Sequence, residues 1–278
     1  MKNLRHFFYF VLICHVGMAQ NKISGIVKDS KTQQAIPFAS IGIVGTQLGT
    51  LSDGNGNFEL PLRNFTDSVR ISSIGYSYIT LAGSELQNSV NKIFHLKPEA
   101  YQLKPVEVNA KNSQYKILGT SKYSKDVCTA FVGQDANWRG EQAAILAHNK
   151  DTGTVYIESF GFYIIKNTYA DSLQFRIMLY EVNDKGYPGK TFLQKPLLFK
   201  TNTKQGEVRI DVSSYFITTN NDFFISLECL EEKMEAGKFC FAGSIKVPSF
   251  VKTTPFAKWV RVKGGGGDFN VKVSCVKE

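Results

Sequence analysis

Cysteine and histidine are the residues of this chain best able to do chemistry, and their spacing argues against most of it. Past an apolar leader that contains Cys14, four cysteines remain, Cys128, Cys229, Cys240 and Cys275. They form no C-x-x-C pair, so neither a zinc site nor a thioredoxin-type redox motif is indicated. Only His95 and His148 lie beyond the leader, in different predicted domains, which disfavours a His-rich metal centre. A Cys128–His148 nucleophile pair would need a third group to orient the imidazole, and nothing local supplies one. No G-x-S-x-G elbow occurs, and Gly264–Gly267 lack the Lys-Ser/Thr and helix of a phosphate cradle. Asp53, Asn55 and Asn57 have the opening spacing of a calcium loop. Phe58 then stands where that loop needs Gly and Asn64 where it needs Glu, so a turn is expected instead. No catalytic residue, metal site or cofactor is assigned.

Aromatic and sulfur chemistry remain. Trp138, Trp259 and Tyr187 sit beside predicted turns, where sugar-binding sandwiches expose stacking rings. The competing reading places both tryptophans in the core, since large aromatics dominate cores. For the thiols, the favoured pairing joins Cys229 to Cys240 across a predicted hairpin, and Cys128 to Cys275 between the ends of the second domain. Alternation warns against it. Cys229 is in phase with Phe223, Ile225 and Leu227, whereas Cys240 is out of phase with Phe239 and Phe241. Buried free thiols are the alternative. Scattered Asp and Glu side chains could still gather in space as an acid and base pair.

Residues 1–19 carry Lys2 and Arg5, an apolar run from Phe7 to Cys14, and the small residues Gly17 and Ala19. That is the layout of a secretory signal cut between Ala19 and Gln20, too short to span a bilayer of about 30 Å. Ile13 fills the position before Cys14 where lipoprotein processing needs a small residue, so no lipid anchor is expected. The mature chain is expected in the periplasm or associated with the outer membrane. Its formal charge of +9 drops to +7 without Lys2 and Arg5. The lysines are scattered rather than clustered, which reads as a solvated basic face and excludes nucleic acid as the expected partner.

The elements that must position any site are strands. In 22–60, Ile23, Gly25 and Val27 alternate with polar neighbours, and a turn-rich stretch from Gly45 to Asn57 precedes Phe58 and Leu60. A first domain at 20–98 is followed by a joint at 99–121, where Pro105, Val106 and Val108 suggest an extended connector or edge strand. Residues 122–278 form a second domain of short strands, a β-sandwich or jelly roll. Among them Phe223–Leu230 and Lys238–Ile245 read as one hairpin, and Trp259–Lys263 with Asn270–Val276 as another. Gly140–Asn149 is left open as the single helical candidate.

The first domain resembles a known family. Gly25, Val27 and Asp29 match its G-x-V-x-D; Ile36, Pro37, Ala39 and Ile41 match I-P-x-A-x-I; Gly49 and Thr50 follow. Ser52, Asp53, Gly54, Gly56 and Phe58 match S-D-G-x-G-x-F, and Ile71, Ile74, Gly75 and Tyr76 complete the pattern. It is similar to the carboxypeptidase-D regulatory-like domain. The resemblance implies a transthyretin-like, seven-stranded sandwich without catalysis, found behind metallocarboxypeptidase domains and at the periplasmic N-terminus of many TonB-dependent transporters. No His here is followed by Glu at the H-x-x-E offset of a zinc peptidase. The expectation is an all-β, two-sandwich, non-enzymatic binding or scaffolding protein of the cell envelope, recognising an envelope protein or a glycan. A hydrolase using carboxylates of the second domain, or a structural spacer, are the rivals.

Overall fold

The computed structural model describes residues 22–62, 66–86, 91–99, 114–131, 138–150, 153–264 and 266–275. The expected leader (1–19), the connector around Pro105 and Asn64 lie outside them. Eight strands build the first domain: β1 (Lys22–Asp29), β2 (Ser40–Ile43), β3 (Gly49–Leu51), β4 (Asn57–Pro61), β5 (Ser68–Ser72), β6 (Tyr76–Ser77), β7 (Ile79–Ala82) and β8 (Lys92–Pro98). They form two four-stranded sheets, β4-β1-β8-β6 and β3-β2-β5-β7. Strict alternation in β1 buries Ile23, Gly25 and Val27 as its period requires. Phe94 and Leu96 beside them on β8, and Ile41, Ile43, Val69 and Ile71 from the other sheet, complete one core. Seven strands were expected; the eighth arises because Tyr76–Leu81, read as one run, breaks at the exposed Tyr78 and sends β6 and β7 to different sheets.

The second domain holds β9 (Tyr115–Gly119), β10 (Cys128–Thr129), β11 (Gln142–Ala147), β12 (Val155–Asn167), β13 (Leu173–Val182), β14 (Pro188–Thr191), β15 (Leu197–Thr201) and β16 (Gly206–Asp211). It continues with β17 (Ile217–Thr219), β18 (Phe223–Cys229), β19 (Phe239–Ser244), β20 (Ser249–Lys252), β21 (Val260–Val262), β22 (Gly266–Gly267) and β23 (Phe269–Cys275). An eight-stranded sheet runs β10-β19-β12-β23-β9, with β16 and β17 also on β12 and β22 on β19. A seven-stranded sheet runs β14-β13-β18-β11-β20-β21, with β15 on β13. The long β12 is the spine. A register shift between Ile157 and Ser159 flips its phase, so that Val155, Ile157, Phe160, Phe162 and Ile164 all reach the core. Among the described residues no helix is long and apolar enough to cross a membrane.

Several pairings differ from the sequence reading. Gly140–Asn149 is no helix but contains β11, which pairs with β18 and β20 in the sheet centre. The run from Phe223 and the run from Lys238 are not a hairpin: β18 belongs to the seven-stranded sheet and β19 to the eight-stranded one, and residues 230–238 cross between them. Likewise β21 pairs with β20, while β23 pairs with β12 and β9. The expected Cys229–Cys240 and Cys128–Cys275 bridges therefore fail. The disulfide joins Cys128 to Cys240 across neighbouring strands β10 and β19, with Cα atoms 5.6 Å apart, and Cys229 and Cys275 are free thiols.

The first domain packs on the outer face of the seven-stranded sheet at Arg176 and Leu230, and Phe250 and Gln142 cover the rest of β18, which is buried on both faces. Phe38 adopts a left-handed backbone (φ 54°) and its carbonyl accepts from Arg176 Nη1 at 2.9 Å across the interface. Phe38, Leu51 and Leu230 form a small apolar cluster beside it. Phe256 lies against Gly42, where an added Cβ would come within 2.2 Å of its ring, so only glycine admits this approach. Thr254 Oγ1 donates to the Gln47 carbonyl at 2.8 Å.

Under this interface lies a buried polar network. Glu228 accepts from Arg176 Nε at 2.5 Å and from Gln142 Nε2 at 2.8 Å, and Tyr180 and Ser226 hydroxyls donate to Gln142 Oε1. Lys252 lies in the same layer, its Nζ 4.8 Å from the Trp259 ring centre and 5.5 Å from that of Tyr180. Burial pushes its ammonium down to about 8, with Glu228 opposing and Arg176 adding to the shift. The folded protein thus binds this proton less tightly than the unfolded chain does. The resulting cost is fully present below pH 8 and is relieved as pH rises toward the unfolded value of 10.5. Wild type should accordingly gain about 2 kcal/mol relative to Lys252→Met between pH 8 and pH 10. Cys229 and Tyr180, whose buried groups resist ionisation in both proteins, cancel in that difference. Parallel urea melts of the two across this range measure it; curves that stay parallel would refute the assignment.

Candidate functional site

Where the two domains meet, a cleft of about 1570 Å³ opens beside the packed interface. From the first domain its wall is the turn Ile74–Gly75–Tyr76 and the end of β8 at Pro98 and Glu99. Gly75 has φ 83°, and a Cβ there would lie 2.8 Å from the Gln194 carbonyl of the second domain, so this turn needs glycine twice over. Tyr76 is fixed by a 3.0 Å hydrogen bond from its hydroxyl to Asp29 Oδ2. Burial raises the Tyr76 phenol, with Asp29 adding to it; backbone donors, Thr32 above all, hold the Asp29 carboxyl low.

The second domain contributes Glu181 and Val182 at the end of β13, the connection Phe192–Pro196, and Ser214–Phe223 around β17. A 3₁₀ turn, Ser213–Tyr215, delivers the chain to Phe216. Phe216 is left-handed (φ 52°, ψ 47°) and 61% exposed, so an aromatic ring stands at the cleft in a backbone conformation that costs on the order of 1 kcal/mol. Asp222 Oδ2 meets His148 Nδ1 at 2.7 Å, and Asp222 Oδ1 accepts from the Asn149 backbone N–H at 2.7 Å. Burial alone would raise the Asp222 carboxyl, but the His148 and Asn149 hydrogen bonds and nearby Lys150 outweigh it and hold it below the usual range. An ionised carboxylate so held can accept hydrogen bonds or face a cation; it is poorly suited to give up a proton as a general acid.

The sequence-derived candidates lie elsewhere. Trp138 is 8% exposed and belongs to the core of the second domain. Trp259 packs edge-on to Tyr180 with centroids 5.5 Å apart, over Lys252. Tyr187 packs edge-on to Phe250 at 5.1 Å, on a turn where Asn183 Oδ1 accepts from the backbone N–H groups of Lys185 and Tyr187. None of the three borders the cleft. Trp138 is thereby corrected as a ligand-stacking candidate, because its ring belongs to the core. Trp259 and Tyr187 are half-buried beside their aromatic neighbours and lie away from the cleft. Cys128 is likewise committed to its disulfide and does not serve His148 as a nucleophile. Asp53 caps its own turn, accepting from the backbone N–H groups of Asn55 and Asn57 at 2.8 Å. Among the described residues no group of three or more His, Cys, Asp or Glu side chains is placed to hold a metal ion.

These features define a protein of β-sandwich domains with a cleft at their junction. Residues 23–108 match the CarboxypepD_reg-like domain family, so the first domain is a carboxypeptidase regulatory-like domain, as its motifs indicated. The Asp29, Ile74, Gly75 and Tyr76 of those motifs are the residues that shape the cleft wall. No curated protein sequence matches the chain. Among solved structures, the VP2 subviral particle of infectious bursal disease virus aligns at 11% identity and TM-score 0.24, over 91% of this chain and 63% of that one. The Gx strain of the same virus aligns at 11% identity and TM-score 0.23, over 92% and 65%. The chain thus spans less than two thirds of the length of these chains.

Proposed function

We propose that this is an exported, non-enzymatic binding protein of the cell envelope whose ligand, an envelope protein or a glycan, occupies the cleft between the domains. The observation that carries the reading is Phe216: a large, exposed aromatic in a left-handed backbone at the mouth of a cleft walled by both domains. Left-handed backbone at a non-glycine residue is held by the structure around it and clusters at functional sites. The disulfide between Cys128 and Cys240 and the signal-like leader support export to an oxidising compartment. Phe216→Gly suits the backbone and removes the ring. It is expected to leave stability within about 1 kcal/mol of wild type while abolishing ligand capture. Paired glycan-array and envelope-extract binding assays on the two proteins test this; capture unchanged by Phe216→Gly would remove the cleft from the account.

A hydrolase is the second reading, because Glu99, Glu181 and Asp222 share this cleft. It requires a carboxyl group that stays protonated, whereas Asp222 is held ionised. Turnover of a glycan or peptide substrate lost in Glu181→Gln would favour it over simple binding.

A further inference from the structure

We infer that the ligand of this cleft is an extended polypeptide segment bearing lysine or arginine side chains, held by strand addition; this rests on the cleft being the binding site. The first observation is a pair of sheet edges. Among the described residues β17 pairs with β12 alone and β6 with β8 alone, and both strands border the cleft. Ile217, Thr218 and Thr219 follow one another along β17, and all three line it. Successive side chains of a strand point to opposite faces, so three in a row meet one cavity only where the strand turns its edge toward it. An open edge presents main-chain N–H and C=O groups, and a partner strand matches that ladder group for group. A glycan carries no such repeat.

The second observation is charge. The whole chain is formally +9, yet the cleft is lined by Glu99, Glu181 and Asp222, the last already bonded to His148 and the Asn149 N–H, against Lys195. A local sign opposite to that of the protein draws in cations and repels anionic chains. Phe216 offers such a cation a ring face. The edges specify an extended backbone, and the carboxylates specify the side chains it carries.

Fluorescence anisotropy on the full chain tests this with four labelled probes. They are a short peptide alternating lysine and valine, the same peptide with glutamate for lysine, the lysine peptide N-methylated at alternate backbone nitrogens, and a neutral β-glucan oligosaccharide. The lysine peptide should bind. Its affinity should fall about tenfold or more with glutamate, with N-methylation, and with the protein variant Glu181→Gln. An N-methylated or glutamate peptide that binds as well as its parent would overturn the inference, as would no binding of the lysine peptide. Oligosaccharide binding that disappears in Phe216→Gly, with no peptide binding, would leave the cleft as the site and sink only the polypeptide ligand. Lysine-peptide binding untouched by both Phe216→Gly and Glu181→Gln would instead sink the cleft reading itself.

Discussion

Glu228→Leu is expected to destabilise the protein by about 4–5 kcal/mol, more than Arg176→Leu at about 3–4 kcal/mol. Glu228 is fully buried and is the one anion of the network beneath the domain interface, hydrogen-bonded by Arg176 and Gln142. Removing it leaves the Arg176 guanidinium buried without its partner and takes away the attraction that opposes the lowering of Lys252, so that ammonium is driven further toward losing its proton. Removing Arg176 leaves Glu228 with Gln142 as a donor and with the attraction of Lys252, so the loss is smaller. Arg176→Leu also deletes the bond to the Phe38 carbonyl, the direct polar tie between the domains at this point. Its unfolding curve should therefore broaden as the first domain loosens from the second. Urea denaturation of both variants measures the ranking. Equal costs, or a larger cost for Arg176→Leu, would show that Lys252 does not share Glu228.

This network also marks what sequence could and could not show. Alternation in β1, and the spacing of Gly25, Asp29, Gly75 and Tyr76, are local patterns, and they sufficed to identify the family that residues 23–108 match. In β13 the same alternation put Phe175, Ile177 and Leu179 on the core face and left Arg176 and Tyr180 looking like a solvent face. Arg176 is buried beneath the first domain and Tyr180 beneath Trp259 and Lys252, and covering is a long-range fact: Arg176 and Phe38 are 138 residues apart. The hairpin error has the same origin. Two apolar runs joined by a polar connection look alike whether the connection returns along one sheet or crosses to the opposite sheet.

The cleft was half legible. Its first-domain wall is built from motif residues, yet nothing in the motif says that Tyr76, packed on the sandwich core, also borders a cavity. Phe216 was invisible for a physical reason. Left-handed backbone is signalled by glycine or asparagine, and a phenylalanine there carries no signal at all. His148 and Asp222 are 74 residues apart, and their contact depends on β11 and β18 pairing antiparallel so that the residues beyond their ends meet. The aromatic candidates were chosen for lying near turns. Trp138, Trp259 and Tyr187 do lie there, but turns at the ends of a sandwich also close over its core.

Breaking the Cys128–Cys240 disulfide is expected to cost about 3–5 kcal/mol. The bridge spans 112 residues, a loop long enough that cross-linking it removes much of the unfolded chain's freedom. It also fastens β10, a two-residue strand at the edge of the eight-stranded sheet, whose ladder alone is short. Cys128→Ser with Cys240→Ala should lower the urea midpoint with little loss of secondary structure, because the core beneath the bridge, with Phe241 and Phe269 in contact at 5.4 Å, is left in place. Thiol mapping supplies the sharper test. Without reductant the folded chain should yield a Cys128–Cys240 peptide. Cys275, partly exposed, should alkylate readily, and Cys229, buried with its thiol pushed up by burial, should alkylate after unfolding. A Cys229–Cys240 peptide would mean that β18 and β19 share a sheet as a hairpin. The crossing at residues 230–238, and with it the two-sheet arrangement that positions the cleft, would then be wrong.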